Sequence, residues 1–277
     1  GFISDELEII LEGFGDTRRT EIVAKADEFQ VEDLIKYEEV IVTVTHKGYL
    51  KRMPLDTYKA QKRGGKGVKG SSSEDDFFTT IFTAETHDKI MCFTDQGQVY
   101  TLKVYQLPEG TRTSKGRNIV NLLPLKNGEK VKEIRSVPKD FADHYLVMVT
   151  EKGLVKKTKL EEYKNVKASG IRAIKINEGD QLLNVRVTDG TKDILICADS
   201  GKIIRFAESD CRPLGRVSQG VKGISLSDSE KVIGMAIIED GTENLSITDK
   251  GYGKRSSASE YRKQTRGGKG IIAMKLT

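Results

Sequence analysis

A hairpin-like string recurs five times along this chain at intervals of about fifty residues, and that periodicity restricts the fold more than any other feature. The copies are VIVTVTHKGYLKR (40–52), IMCFTDQGQVYTLK (90–103), LVMVTEKGLVKK (146–157), ILICADSGKIIRF (194–206) and LSITDKGYGKR (245–255). Each is an apolar run, a polar turn ending in glycine, and a second run. The turn glycines Gly48, Gly97, Gly153, Gly201 and Gly251 are spaced 49, 56, 48 and 50 residues apart. A Thr or Ala, two polar residues and then Gly suit a type I turn closed in the left-handed region, where a Cβ is penalised.

A second landmark keeps step with the first. Gly67, Gly116, Gly170, Gly220 and Gly270 follow the turn glycine by 19 residues in four units and by 17 in the third. Their surroundings read GGKGVKG, TSKGRNI, KASGIRA, VSQGVKG and GGKGIIA, each with cations, and three units run on into a short apolar strand such as IRAIKI. Each unit is therefore a hairpin, a basic loop, a further strand and a variable linker. No such unit can bury its apolar face alone, so neighbours must stack. Four-stranded units of this length are the size of propeller blades. There is no W-D or kelch signature and no tryptophan, so the reading is a bladed all-β domain of an unusual kind.

The remaining composition narrows the function. With 277 residues, 37% hydrophobic and 31% charged, the chain can build a core, yet its apolar runs are too short to cross a membrane. Nothing at its start resembles a secretion signal. Three scattered cysteines (Cys92, Cys197, Cys211) argue against a disulfide framework and for the cytoplasm. The histidines His46, His87 and His144 lie singly, without metal-ligand spacing. Net charge is +5, but residues 1–40 carry −8 and the remainder +13. A basic body behind an acidic leader points to a polyanionic partner, most often nucleic acid. No G-x-x-x-x-G-K-[ST] loop is present, and no carboxylate cluster or Ser/His/Asp pattern stands out. Tyr58, Tyr163 and Tyr261 each fall 10 residues past a turn glycine, which marks a structural repeat rather than a lone nucleophile.

In the leader, Ile3, Leu7, Ile10 and Leu11 have helical spacing, so residues 3–12 read as the end of an amphipathic helix stopped by Gly13 and Gly15. A short strand-like TEIVA follows, and EFQVEDLIKYEEV reads as a short helix or turn entering the first hairpin. Residues 1–39 are thus an acidic leader, the end of a coiled-coil helix and a linker from a preceding domain. Residues 40–277 form the repeat domain, with units at about 40–88, 89–143, 144–192, 193–243 and 244–277.

Gln61-Lys62-Arg63-Gly64-Gly65-Lys66-Gly67 matches at every position the string Q-[KR]-R-G-G-[KR]-G, the signature heptapeptide of the bacterial DNA gyrase A subunit. FGDTRRTEI (14–22) and KVYQLPEGTRTSKGRNIVNLLPL (103–125) are similar to gyrase segments too. The chain therefore resembles, over essentially its whole length, the C-terminal domain of that type IIA topoisomerase component. The resemblance implies a β-pinwheel, a propeller-like disc of about five to six four-stranded blades that exchange strands and wrap DNA around the rim. It implies no catalysis by this domain itself, with ATP and Mg2+ used elsewhere in the holoenzyme. The implied partners are double-stranded DNA, the N-terminal domain of the gyrase A chain, and the gyrase B chain in an A2B2 heterotetramer, with no membrane and a monomeric isolated domain. Two departures stand out. Five units are visible where the family usually has six, and Gln264–Gly270 forms a near-complete second box where later blades tend to be degenerate.

The chemistry of the loops fits the same partner. Glycine pairs allow sharp turns that expose backbone N–H groups, Arg63 can fork onto phosphate oxygens, and Lys62, Lys66 and Lys69 act as point charges. Gln61 either clips the loop onto its hairpin or bonds the sugar–phosphate. The first loop thus nominates Gln61, Lys62, Arg63, Gly64, Gly65, Lys66, Gly67 and Lys69 as duplex contacts. Later loops add Arg112, Lys115, Arg117, Lys167, Arg172, Arg216, Lys222, Gln264, Arg266 and Lys269. Cations three or four residues past the turn glycines (Lys51, Arg52, Lys156, Lys157, Arg205, Lys254, Arg255) are expected to join them in a continuous belt. Such a belt binds backbone rather than sequence. The aromatics Tyr49, Tyr100, Phe206 and Tyr252 are expected to pack within blades.

Overall fold

The computed structural model describes residues 1–21, 31–57, 75–137 and 141–274. The chain divides into two compact units, Gly1–Lys36 and Tyr37–Thr277. In the first, α1 spans Phe2–Phe14 and ends where the Gly15 N–H donates to the Leu11 carbonyl. Its apolar residues, Phe2, Ile3, Leu7, Ile10 and Leu11 among them, are exposed. A 3₁₀ turn over Val31–Leu34 closes this unit's described part.

In the second unit the five repeats become five hairpins: β1 (Glu39–Thr45) with β2 (Tyr49–Pro54), β4 (Lys89–Thr94) with β5 (Gln98–Lys103), β8 (Tyr145–Thr150) with β9 (Leu154–Lys159), β12 (Asp193–Ala198) with β13 (Lys202–Ala207), and β16 (Glu243–Ile247) with β17 (Gly253–Ser257). All five turn glycines have φ between +76° and +84°, the left-handed closure expected of them. Further strands are β3 (Phe78–Glu85), β7 (Val131–Ser136), β11 (Leu182–Thr188) and β15 (Val232–Ile238). Two-residue strands follow the later glycines: β6 (Arg117–Asn118), β10 (Ile171–Arg172), β14 (Val221–Lys222) and β18 (Ile271–Ile272).

The sheets are not cut where the repeats are. Their orders are β3-β1-β2-β6, β10-β5-β4-β7, β11-β8-β9-β14 and β15-β12-β13-β18, all antiparallel. Every four-stranded sheet thus takes three strands from one unit and its short fourth strand from the next, the strand exchange expected of a pinwheel. Among the described residues, β16 and β17 form a two-stranded sheet.

The middle strands read as unbroken apolar runs because both of their faces are covered. Ile90 and Cys92 of β4 pack with Val42, Val44 and Leu50 of the sheet before. Met91 and Phe93, on the opposite face, pack with Leu146 and Met148 of the sheet after. Val147 and Val149 repeat the device against Ile194 and Ile196. Burying such a side chain stabilises by roughly 1.5–3 kcal/mol, so the interfaces between sheets are the core. β16 lacks that cover and alternates between exposed and half-buried positions.

Candidate nucleic-acid interface

The basic loops are built by one unit and seated on another. The loops that end at Gly116, Gly220 and Gly270 enter alongside the second strand of the preceding hairpin through a parallel bridge: Glu109 beside Arg52, Pro213 beside Lys157, and Lys263 beside Arg205. Each described loop turns at the later glycine, with φ of +80° at Gly116, +74° at Gly170, +102° at Gly220 and +73° at Gly270. There the backbone passes close to its host. A Cβ at Gly116 would sit 2.4 Å from the Leu50 carbonyl oxygen, and one at Gly270 would sit 2.6 Å from that of Ile203. Only glycine fits both the conformation and the space. Three residues later, the N–H groups of Ile119, Ala173, Gly223 and Ala273 donate to the carbonyls of Gly48, Gly97, Gly153 and Gly201. The two glycine landmarks of adjacent units therefore meet, and this fixes these four loops at one register of their host sheets.

Successive loops also touch each other. The Gly267 N–H donates to the Gly223 carbonyl, the Ser225 N–H to that of Gly268, and the Lys175 N–H to that of Ser218.

Several cations expected in the belt are placed inside instead. Lys51 is 2% exposed, and its ammonium donates to the carbonyls of Thr111, Arg112 and Ser114 at 2.9, 2.8 and 2.7 Å. Lys156 is fully buried and donates to the carbonyls of Ala173 and Arg216. Burial holds its pKa down at about 8, with the Arg216 charge acting in the same direction. Lys157, 5% exposed, donates to the Glu208 carbonyl at 3.0 Å and lies 3.6 Å from its carboxylate. Arg205, 6% exposed, bonds Asp193, the Ala258 carbonyl and Asp240. Burial works against its charge, yet the bonds to Asp240 and Asp193 raise its pKa overall. Arg52 is half-buried and engaged by the Leu107 carbonyl and Glu109. At these positions the next unit's loop covers the strand: Lys51, Lys156 and Arg205 bond its backbone, Arg52 and Lys157 bond its backbone and a carboxylate, and Asp193 and Asp240 of its own unit hold Arg205 in addition. Lys254 and Arg255, at the same register of the fifth hairpin, are exposed.

The loop cations fare differently. Arg112, Lys115, Arg117, Lys167, Arg172, Lys222 and Lys269 are all exposed. Arg216 and Arg266 are half-buried, with guanidinium groups on the Glu162 carbonyl and on the Asp210 and Lys222 carbonyls respectively. Gln264 is half-buried, and its carboxamide oxygen lies 3.2 Å from where a Gly268 Cβ would stand. It therefore packs within the second box, against Gly268. The first box, Gln61, Lys62, Arg63, Gly64, Gly65, Lys66 and Gly67, with Lys69 and Tyr58, lies outside the described residues. Exposed Arg212, Arg262 and Lys175 belong with the loop cations, though the sequence pattern did not nominate them. The signal was available for two of them, since Arg212 and Arg262 both stand eight residues before the later glycine.

The aromatics divide. Tyr100 and Phe206 are buried, as are the repeat tyrosines Tyr163 and Tyr261. The Tyr163 hydroxyl donates to the Ala173 carbonyl, and Tyr100 donates to Glu129. Burial and that carboxylate push the Tyr100 pKa up to about 12. Tyr49 is half-buried with the Lys115 ammonium 4.2 Å above its ring, whereas Tyr252 is 74% exposed and does not pack as expected.

Comparison with known proteins agrees with this geometry. Residues 39–83, 88–138, 144–189, 192–239 and 245–277 match the family described as DNA gyrase C-terminal domain, beta-propeller. The chain is 42% identical over 276 residues to the DNA gyrase A subunit of Salmonella typhimurium, covering 99% of this chain and 31% of that protein. It is 45% identical over 276 residues to the same protein from Clostridium acetobutylicum, covering 99% and 33%. It thus spans about a third of the length of these relatives. A solved C-terminal domain of DNA topoisomerase IV is similar at TM-score 0.71 and 29% identity, over 86% of this chain and 73% of that one. A solved DNA gyrase A C-terminal domain is similar at TM-score 0.68 and 27% identity, over 84% and 76%. With its repeats, exchanged strands and glycine-locked loops, the chain belongs to the DNA gyrase C-terminal domain family.

Proposed function

We propose that this chain wraps duplex DNA along its loop cations, independently of sequence, and gives a gyrase holoenzyme directional strand passage. The observation that carries the reading is the shared register of the loops. Four hairpins each hold a loop at the same glycine carbonyl, and exposed Arg or Lys side chains stand on every one of these loops. A periodic row of cations meets a periodic row of phosphates, while no base-reading element is required. Bending the duplex along such a row costs roughly 1–6 kcal/mol, which the added phosphate contacts offset. In this reading the domain itself performs no chemistry. Cleavage and ATP hydrolysis belong to the rest of the gyrase A chain and to the gyrase B chain of an A2B2 assembly in the cytoplasm.

The test is topological. Nicked circles are incubated with increasing amounts of the full-length protein and ligated, and the linking number of the product is measured. A change proportional to bound protein is expected, and binding with no such change removes the wrapping claim. Similarity to the topoisomerase IV domain favours a second reading, bending without chiral wrapping, and DNA bent at constant linking number would select it.

A further inference from the structure

Beyond the exposed cations, two buried ones stand at the same place in alternate units. Lys51 and Lys156 are each three residues past a turn glycine, and each reaches across the sheet edge into a loop supplied by the following unit. The ammonium group has three protons, and Lys51 spends all three on carbonyl oxygens of the loop that carries Arg112, Lys115 and Arg117. Lys156 takes the Arg216 carbonyl, the backbone of a loop arginine itself. In units two and four the same position is taken by Tyr100, whose ring lies against Gly170, and by Ile204, beside Gly268.

A buried charge opposes its own desolvation, so hydrophobic seats such as Ile204 are the less costly solution to packing. What the ammonium adds is direction. Lys51 draws three loop carbonyls inward at once, and Lys156 ties the Arg216 carbonyl to that of Ala173 in its own unit, so these negative dipole ends are bonded beneath the loop while exposed cations remain on it. From this geometry we infer that Lys51 and Lys156 are positioning residues: they never touch DNA, and they orient the following unit's loop so that its cations contact phosphates as a set. The inference rests on the proposed reading that these loops bind the duplex.

The two alternatives separate in the salt dependence of binding. Losing one phosphate partner lowers the slope of log affinity against log salt by about 1. Full-length protein carrying Lys51→Met, which keeps the length and removes the charge, is compared with Arg112→Met and with wild type, all fully folded, on a linear duplex. The expected slope falls by about 1 for Arg112→Met and by about 3 for Lys51→Met, because Arg112, Lys115 and Arg117 disengage together. General destabilisation of a protein that is still folded leaves the slope unchanged.

A Lys51→Met slope equal to wild type, or lower by only about 1 as for a single direct contact, overturns the positioning role. If Arg112→Met also leaves the slope unchanged, the loop-binding reading falls with it; if Arg112→Met alone lowers it, only the positioning role falls. Should Lys51→Met not fold, Lys51→Gln serves in its place, since it lacks the reach and the third donor, and the same two outcomes decide.

Discussion

The third and fifth hairpins carry nearly the same turn, EKGLVKK and DKGYGKR, and put it to opposite uses. In the third, Lys156 and Lys157 lie beneath the loop that ends at Gly220, bonded to its backbone and to Glu208. In the fifth, Lys254 and Arg255 stand in solvent with loose partners, 3.6 Å from Glu260 and 3.4 Å from Glu243. Among the described residues no strand pairs with the outer edge of β17. The same register is thus an interior position where a neighbour's loop is seated and a surface position where none is. A cation's role here is assigned by its neighbour, and its own local sequence is silent on it.

That contrast is broken most forcefully at the arginines. Arg205→Ala strips Asp193 of its buried partner and frees the Ala258 carbonyl, leaving Lys263 at 2.9 Å as the remaining cation on that carboxylate. Removing one member of a buried pair costs about 3–5 kcal/mol, whereas Arg255→Ala at the surface stays within about 0.5 kcal/mol. Denaturant unfolding of the two variants gives the comparison directly, and equal losses would show that the fifth hairpin is covered in solution.

The turn glycines come next. At Gly97 an added Cβ meets the Ile174 carbonyl oxygen at 2.4 Å with φ at +76°, while at Gly251 it meets nothing within 4 Å with φ at +83°. Gly251→Ala bears the conformational term alone, about 1 kcal/mol, and Gly97→Ala adds the steric one for about 3 kcal/mol in all. Thermal unfolding of both variants checks the difference.

A further effect is in pH. Lys156 has its pKa held at about 8 against an ordinary value of 10.5, with Arg216, Glu162 and the Tyr163 hydroxyl around it. Below pH 8 the folded state bears the cost of a buried charge. Between about 8 and 10.5 the unfolded chain binds more protons there, so stability rises with pH. Lys156→Met should flatten that part of the stability–pH curve, and Lys254→Met should leave it as it is. An unchanged curve in Lys156→Met would mean that this ammonium is better solvated than its surroundings indicate.

Much of the fold could be read from the residues. Apolar runs of four or five flanking a polar turn with glycine marked all five hairpins, because local turn chemistry and strand pairing act within a dozen residues. The reading of Tyr163 and Tyr261 as repeat positions rather than nucleophiles agrees with their burial. The loop cations Arg112, Lys115, Arg117, Lys167, Arg172, Lys222 and Lys269 were legible as surface charges. The strand cations were not: Lys51 and Arg205 have the spacing of a surface belt, and the loop carbonyls that bond them lie 53 to 63 residues away along the chain. Tyr252 escaped for the converse reason, since it resembles Tyr49 in sequence but among the described residues no loop lies beside it.

What the sequence determined by itself was the repeat: two glycines per unit at a nearly fixed offset, and the nine of them among the described residues all stand where the backbone enters a conformation that Cβ disfavours. What only the tertiary structure decided is that the two belong to different sheets. The later glycine of one unit locks onto the turn glycine of the unit before it, at Gly48 with Ile119 as at Gly201 with Ala273. A periodic sequence states the offset but not the partner, because a contact within a unit and a contact with its neighbour produce the same repeat. Packing chose the neighbour, since apolar strand faces are buried between successive sheets, and that choice turned Lys51, Arg52, Lys156, Lys157 and Arg205 of the expected cationic belt into seats for the loops.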